Sequence, residues 1–348
     1  MRRERKVTKR IKLLRRGIVA FAVICLAVLI PATVRLYQKR KAIEAEIAMR
    51  KYVESTSSVR FRSETIEYEG KVYRRNSSVK AILCMGVDRN GPMLQETVHT
   101  FGGQSDGIYV LAQDTARGTL KILMVPRDSM TEITLTDLKG NVLGKDIQHL
   151  TLAYAYGDGR ELSCERTAEA VSGLLGGLTL DHYMAADIDV INMLNDSVGG
   201  VTVTVEVDGM EKKDPAFVKG ATLTLHGEQA EAYVRYRDID EHYSAFYRMN
   251  RQKSYIVGFF DAVRENSKRD ARTVEKLFEL IQDHMVTDMK KEEYLKVAMD
   301  ALEMGELSEE GFYSVPGDAI TTDVYDEFYV NQEALTPIIL ELFYREVQ

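Results

Sequence analysis

The 348-residue sequence has no tryptophan, three cysteines and six histidines, and these shortages narrow the chemistry before any motif is sought. Without tryptophan, one common anchor of carbohydrate-binding surfaces is gone, and nothing further follows from that. Cys25, Cys84 and Cys164 have the spacing of neither a zinc site nor a disulfide framework. A Cys84–Cys164 bridge and a buried free thiol at Cys84 both stay open. The histidines show no metal-ligand spacing, and no H-E-x-x-H occurs. A G-x-S-x-G elbow and a G-x-x-x-x-G-K-[ST] loop are both missing, which sets aside two common routes to hydrolase and nucleotide chemistry. There is no internal repeat or low-complexity tract.

Charge is present but uneven. The first sixteen residues carry nine Lys/Arg against one Glu, a net of +8, so the rest of this −7 chain carries −15. An acidic body argues against a polyanion-binding domain, and any phosphate site must be a local group of arginines. Residues 17–34 (GIVAFAVICLAVLIPATV) contain no charge and are just long enough to span a bilayer as a helix. The basic head then marks the cytoplasmic side. A cleaved signal peptide is the rival reading, but no small-x-small cleavage site follows the apolar run. The expected organisation is a cytoplasmic head at 1–16, a membrane helix at 17–35, a juxtamembrane helix and linker at 36–62, and an extracellular domain at 63–348. The head's charge is explained as the flank of an anchor, so no nucleic-acid partner is expected.

Beyond the linker, TIEYEGKVYRR alternates around Glu69-Gly70, a small hairpin signal. Apolar runs at 81–87, 107–113 and 119–125 read as core strands, the last two antiparallel across a turn near Ala116. Strand character follows at 132–135, with strands at 178–185, 201–207 and 312–315. Helical spacing marks 163–175, 188–195, 228–235 and a longer helix from Ser244 to about residue 266. Two further helices and a closing helix at 332–345 complete the chain. Strands alternating with helices give an α/β class, or α+β, with a central mixed sheet flanked by helices.

This arrangement gathers chemistry at strand ends. Asp88 follows one core strand, Asp106 begins the next, and Arg127 and Asp128 end the third. Paired strands lie about 5 Å apart, so Asp106 is expected across from Arg127 and Asp128. Arg235, Arg237, Arg248 and Arg251 fall close together in sequence, and guanidinium forks match phosphate oxygens. The alternative is solvated arginines paired with Asp238, Asp240 and Glu241. Asp88 and Asp106 suit a hard divalent cation such as Mg²⁺; the alternative is a turn residue and a strand-end cap.

At this point the sequence resembles the LytR–CpsA–Psr family of bacterial cell envelopes. The matching pieces are ILCMGVD (82–88), SDGIYVLAQD (105–114), KILMVPRD (121–128), LAYAYG (152–157), DSVGGVTVTV (196–205), LTLHGEQAEAYVRYR (223–237) and RMNRQ (248–252), in order. The resemblance implies a membrane-anchored phosphotransferase. Such an enzyme moves an anionic glycopolymer (teichoic acid or capsular polysaccharide) from a polyprenyl (pyro)phosphate carrier onto a peptidoglycan sugar hydroxyl. It implies Mg²⁺ at Asp88 and Asp106, and a pyrophosphate clamp of Arg127, Arg235, Arg237 and Arg248 with Gln252 beside it. Asp128 is the candidate for orienting or deprotonating the acceptor, and the lipid tail is expected in an apolar channel; Leu174, Leu175, Ile191, Leu194, Phe259 and Phe260 are candidate lining, with ordinary core packing as the default for each. Three positions depart from the family pattern: Gln104 replaces an Arg, His149-Leu150-Thr151 replaces Lys-Ile-Asn, and Ala245 lies where an Asp is usual. A non-catalytic lipid-phosphate-binding or regulatory protein is the alternative reading.

Overall fold

The computed structural model describes residues 33–35, 37, 39–41, 43–44, 47, 60–61, 64–94, 102–237, 244–321 and 325–347, with the backbone alone at 244–246. The expected membrane segment at 17–34 lies almost wholly outside these residues. Among the described residues no helix is long and apolar enough to cross a membrane.

Among the described residues fifteen strands are defined. They are β1 (Thr65–Tyr68), β2 (Lys71–Arg75), β3 (Val79–Val87), β4 (Ser105–Asp114), β5 (Thr119–Met124), β6 (Met130–Thr136), β7 (Val142–His149) and β8 (His182–Asp187). The rest are β9 (Val201–Thr204), β10 (Thr222–Leu225), β11 (Met285–Thr287), β12 (Phe312–Ser314), β13 (Gly317–Thr321), β14 (Asp326–Val330) and β15 (Tyr344–Val347). The six-stranded central sheet runs β11-β8-β3-β4-β5-β12. It is mixed: β3 pairs parallel with β8 and antiparallel with β4, while β5 pairs antiparallel with β4 and parallel with β12. The fold is therefore α/β around a mixed sheet, with helices on both faces.

Period-two alternation divides the two faces. Ala81, Leu83, Met85 and Val87 of β3, with Ile108 and Val110 of β4, enter the main core with Val171, Leu174, Leu335 and Ile339 of helices Glu161–Leu174 and Gln332–Phe343. Ile82, Cys84 and Gly86, with Tyr109 and Leu111, face the other way. There they meet helices Asp189–Ser197, Ser244–Arg269, Thr273–Ile281 and Lys291–Glu303. The first face is packed solid; the second encloses a chamber. Helix Ser244–Arg269 lies so close to β9 that a Cβ at Gly258 would come 2.8 Å from the Thr202 carbonyl oxygen.

The structure modifies several sequence expectations. The hairpin at Glu69-Gly70 forms with positive φ at both positions (50° and 74°). The strand expected at 178–185 starts later, at His182, because Asp181 is used as a clasp: its carboxylate accepts from the Ala81 amide at 2.7 Å. The closing helix stops at Phe343 and the chain turns into β15, which adds to β2. The strand character at 132–135 belongs to β6, while β7, the β13–β14 hairpin and the short β11 had no clear counterpart in the sequence reading. In β7, Gly144 and alternating charges hide the strand pattern. Cys84 and Cys164 are both free thiols, not a bridge.

Candidate functional site

The three core strands deliver their polar ends to one edge of the sheet. Ser105 NH donates to the Thr151 carbonyl at 3.3 Å and Thr151 NH to the Arg127 carbonyl at 3.0 Å, which ties the start of β4 to the exit of β5. Arg127 Nη1 donates to Asp106 Oδ1, and its Nε lies 3.3 Å from Asp128 Oδ1. From helix Ser244–Arg269, Arg248 approaches the other Asp106 oxygen at 3.7 Å. Arg248 and Gln252, one turn apart, line an open cleft of about 640 Å³ together with Asp106, Arg127 and Asp128; Ala319, Asp326 and Phe328 of the β13–β14 hairpin close its far side.

Charge in this cleft is held under tension. Burial works against the Arg127 cation, but Asp106 and Asp128 outweigh it and hold its proton more firmly than usual. Arg248 is only 8% exposed, and burial, reinforced by the Arg127 cation, lowers its pKa. Its buried Nε has no hydrogen-bond partner among the described residues. A buried donor without an acceptor costs about 1–3 kcal/mol, a cost that an added acceptor would relieve.

Asp88 sits beside this group. Its carboxylate accepts from the Gln104 amide and is pushed above the usual range, first by desolvation and further by Asp106; Arg127 and Arg235 pull the other way. Gly103 (φ +89°) leaves room for it: a Cβ there would stand 3.3 Å from Asp88 Oδ1 and 2.8 Å from a Val87 methyl. Two oxygen-bearing carboxylates close enough to repel fit a hard divalent cation.

The other expected residues are placed differently. Arg237 Nη2 donates to Asp326 Oδ2 at 2.6 Å, at the border of the cleft. Arg235 is exposed and pairs with Glu231 at 2.6 Å, although it still acts on the charge of Asp88. Arg251 is buried and spends its guanidinium on the carbonyls of Tyr233 and Tyr236, so its part is structural. His149 turns its Nε2 to the Asp326 carbonyl at 3.1 Å and its ring edge to Tyr325. Thr151 reaches Asp106 at 3.5 Å, while Gln104 contributes its backbone. The side chain of Ala245 lies outside the described residues.

Tyr109 was not singled out from the sequence, although its alternation with Ile108 and Val110 puts it on the helix-facing side. Its hydroxyl donates to Gln252 Oε1 at 2.8 Å. The same ring lines both the charged cleft and the apolar chamber behind it. That half-open chamber spans about 1600 Å³, including the solvent at its mouth, between the sheet and four helices, and its lining is almost entirely hydrocarbon. Leu194, Phe259 and Phe260 line it as expected. Leu174 and Leu175 do not, because they belong to the core on the opposite face. Ile191 packs against a side cluster around Val201 and Leu225.

The family model of LytR_cpsA_psr matches residues 32–342. The chain belongs to the LytR_cpsA_psr family. Its relatives include the polyisoprenyl-teichoic acid–peptidoglycan teichoic acid transferase TagV of Bacillus subtilis, 28% identical over 291 residues, which are 82% of this chain and 65% of TagV. TagU of Halalkalibacterium halodurans, given the same transferase name, is 30% identical over 176 residues, 51% of this chain and 50% of TagU. The chain thus spans about half to two thirds of the length of these curated relatives. The crystal structure of B. subtilis TagV shares the fold, with a TM-score of 0.56 at 24% identity over 76% of this chain and 97% of that one.

One cluster escaped a search by sequence spacing. Ligand atoms of Asp187, Asp189 and His284 lie within 4.8 Å of one another in this LytR_cpsA_psr chain. Both Asp189 oxygens are taken, by Asn90 Nδ2 and by the Gly91 amide, each at 2.8 Å. Asp187 accepts from or donates to His284 Nδ1 at 2.6 Å. The cluster holds the loop that follows Asp88 in place.

Proposed function

We propose that this protein transfers an anionic glycopolymer from a polyprenyl (pyro)phosphate carrier to a peptidoglycan hydroxyl. A single observation carries the reading: a cleft with a buried, under-satisfied guanidinium abuts a hydrocarbon-lined chamber, with Tyr109 forming the wall between them. A diphosphate on a long apolar tail matches that pair of spaces in charge and in polarity. Relatives named as transferases of polyisoprenyl-linked teichoic acid to peptidoglycan support the same chemistry.

In this mechanism Arg127 and Arg248 bind the diphosphate oxygens and disperse the charge that builds on them, which is the main demand of phosphoryl transfer. Arg237 joins them by exchanging Asp326 for a phosphate oxygen. Asp128 orients the acceptor hydroxyl and takes its proton as the new oxygen–phosphorus bond forms. The bond from that phosphorus to the lipid phosphate breaks, and the lipid monophosphate leaves. Asp88 and Asp106 would hold Mg²⁺, which neutralises diphosphate charge when bound. The segment at 17–34 anchors the chain in the cell membrane, with the sixteen-residue head in the cytoplasm and residues 63–348 outside.

The test uses full-length protein in detergent with Mg²⁺, a polyprenyl-diphosphate-linked glycan and peptidoglycan fragments. Transfer is expected, with losses of at least about a hundredfold in Arg127→Ala and Arg248→Ala. Unchanged turnover in both variants contradicts the mechanism. Gln104 offers only its backbone to the site, and this favours a second reading as a lipid-phosphate binder without turnover. Mg²⁺-dependent lipid binding with no transfer to any acceptor selects that one.

A further inference from the structure

The hairpin β6–β7 ends in an apolar crown that no described residue covers. Leu138 and Val142 are each 59% exposed and Leu143 is 69% exposed, at the end of the ribbon away from the charged cleft. Below them the ribbon is braced to the body. Thr136 Oγ1 donates to the Tyr156 carbonyl at 2.8 Å, and Lys145 bridges Glu132 at 3.3 Å and Glu169 at 2.9 Å.

Asp137 closes the crown itself. Its carboxylate accepts from the Lys139 amide at 2.8 Å and from the Asn141 amide and side chain, each at 2.9 Å. Gly140 NH donates to the Asp137 carbonyl at 2.9 Å. The amides of residues 139–141 are thus satisfied within the turn, and the carboxylate at the crown is spent on them. Such a tip can enter a region of low polarity without leaving those donors bare.

Three observations choose the occupant. Strand addition by a protein is opposed along the outer edge of β7, where the register slips opposite Leu135 and Thr136, Gly144 has φ +140° and Lys145 stands in the edge. Bulges and edge lysines are devices that block pairing. The crown's other charge is Lys139, whose long stem lets its ammonium rest at lipid phosphates while the leucines go deeper. The third is the tether. Phe61 is fixed in the core, donating its NH to the Gly176 carbonyl at 2.8 Å and accepting from the Tyr344 hydroxyl at 2.9 Å. Residues 35–60 alone therefore join the body to the anchor at 17–34, a span of at most about 90 Å fully extended. Held that near, the crown meets the leaflet at high effective concentration, and a small apolar contact is enough to orient the body.

We propose that the crown of β6–β7 dips into the outer surface of the lipid bilayer and orients the domain on it. The inference rests on the anchor reading and is independent of the transferase chemistry. Seven residues of β6 separate the crown from Met130, which pairs with His149 at the border of the cleft. The cleft would then lie within about 25 Å of the headgroups.

The experiment places an environment-sensitive fluorophore on Val142→Cys, or on Val218→Cys at a second exposed apolar position, in the full chain. The protein is reconstituted into phosphatidylglycerol–phosphatidylethanolamine vesicles with brominated acyl chains, and the parent sets the labelling background. The label at 142 is expected to be quenched, because an interfacial apolar group sits about 5–10 Å into the headgroup–acyl boundary, and the label at 218 is not. Leu138→Ser combined with Leu143→Ser should shift the insertion equilibrium at 142 by about tenfold, at an unaltered unfolding temperature. A chain that floats with the vesicles but shows no quenching at 142 overturns the proposal and leaves the anchor standing. Equal quenching at 142 and 218 overturns it, as does quenching at 142 that the two serines do not reduce. A chain that neither floats nor is quenched contradicts the anchor and the docking together. Shielding of the label in detergent that rises with protein concentration would assign the crown to a second copy, and this too overturns the proposal.

Discussion

Filling the apolar chamber separates a lipid site from an incidental void. Ala186 lies on β8, with its side chain toward the chamber and Gly86 as its register partner on β3. Ala186→Phe adds about 100 Å² of apolar area at that wall. At about 25 cal/mol per Å² the burial gains roughly 2.5 kcal/mol. Fixing the new side chain returns about 0.5–1 kcal/mol. The ligand-free protein should therefore gain about 1.5–2 kcal/mol, a rise of several degrees in Tm for a domain of this size. The ring occupies the room of about one five-carbon isoprene unit, whose burial is worth about 4 kcal/mol, so lipid affinity should fall by close to a thousandfold. Thermal unfolding and lipid titration on the same preparation check both halves. A raised Tm with undiminished lipid binding would place the tail elsewhere. A lowered Tm would mean that the chamber cannot accept a ring.

Three further outcomes follow from particular contacts. Asp88→Asn removes one of the two carboxylates, so the Mg²⁺-stimulated part of lipid-diphosphate binding should disappear while metal-free binding persists; an intact Mg²⁺ response argues against the pair. Gly102 approaches Gly159 so closely that a Cβ would stand 2.6 Å from its Cα, and Gly102→Ala should cost about 1–3 kcal/mol, read as a lower denaturation midpoint. Burial in the sheet pushes the Cys84 thiol up to about 12, so it should resist alkylation at pH 8 until the chain unfolds. The native state then holds a proton that the unfolded chain releases near pH 8.5, and stability should fall as pH rises from there toward 12. Cys84→Ala should remove that part of the slope, and an identical slope in the variant would contradict it.

The core strands were legible because their apolar runs are dense and bounded by turn residues. Once 107–113 and 119–125 are read as neighbours, the meeting of Asp106 with Arg127 follows from strand spacing alone. The long helix was legible for the same kind of reason, and its 3.6-residue period puts Arg248 and Gln252 on one face. Arg251 was misread because sequence proximity does not show which arginines have carbonyls to satisfy. Leu174 and Leu175 follow the default of ordinary core packing, because an apolar helix face looks alike whether it packs on one side of a sheet or the other. The β13–β14 hairpin that closes the cleft was invisible in a stretch rich in Asp and Thr, and with it the pairing of Arg237 with Asp326. Tyr109 stood in plain view, but only the chamber behind it shows why a tyrosine is there.

The central claim is that one molecule fills the charged cleft and the chamber together. Mass spectrometry of lipids that co-purify with the detergent-extracted protein tests it most directly. A polyprenyl phosphate or diphosphate should be retained by the parent and lost from both Arg248→Ala and Ala186→Phe. Retention of ordinary membrane phospholipid alone, to the same extent in all three proteins, would contradict it.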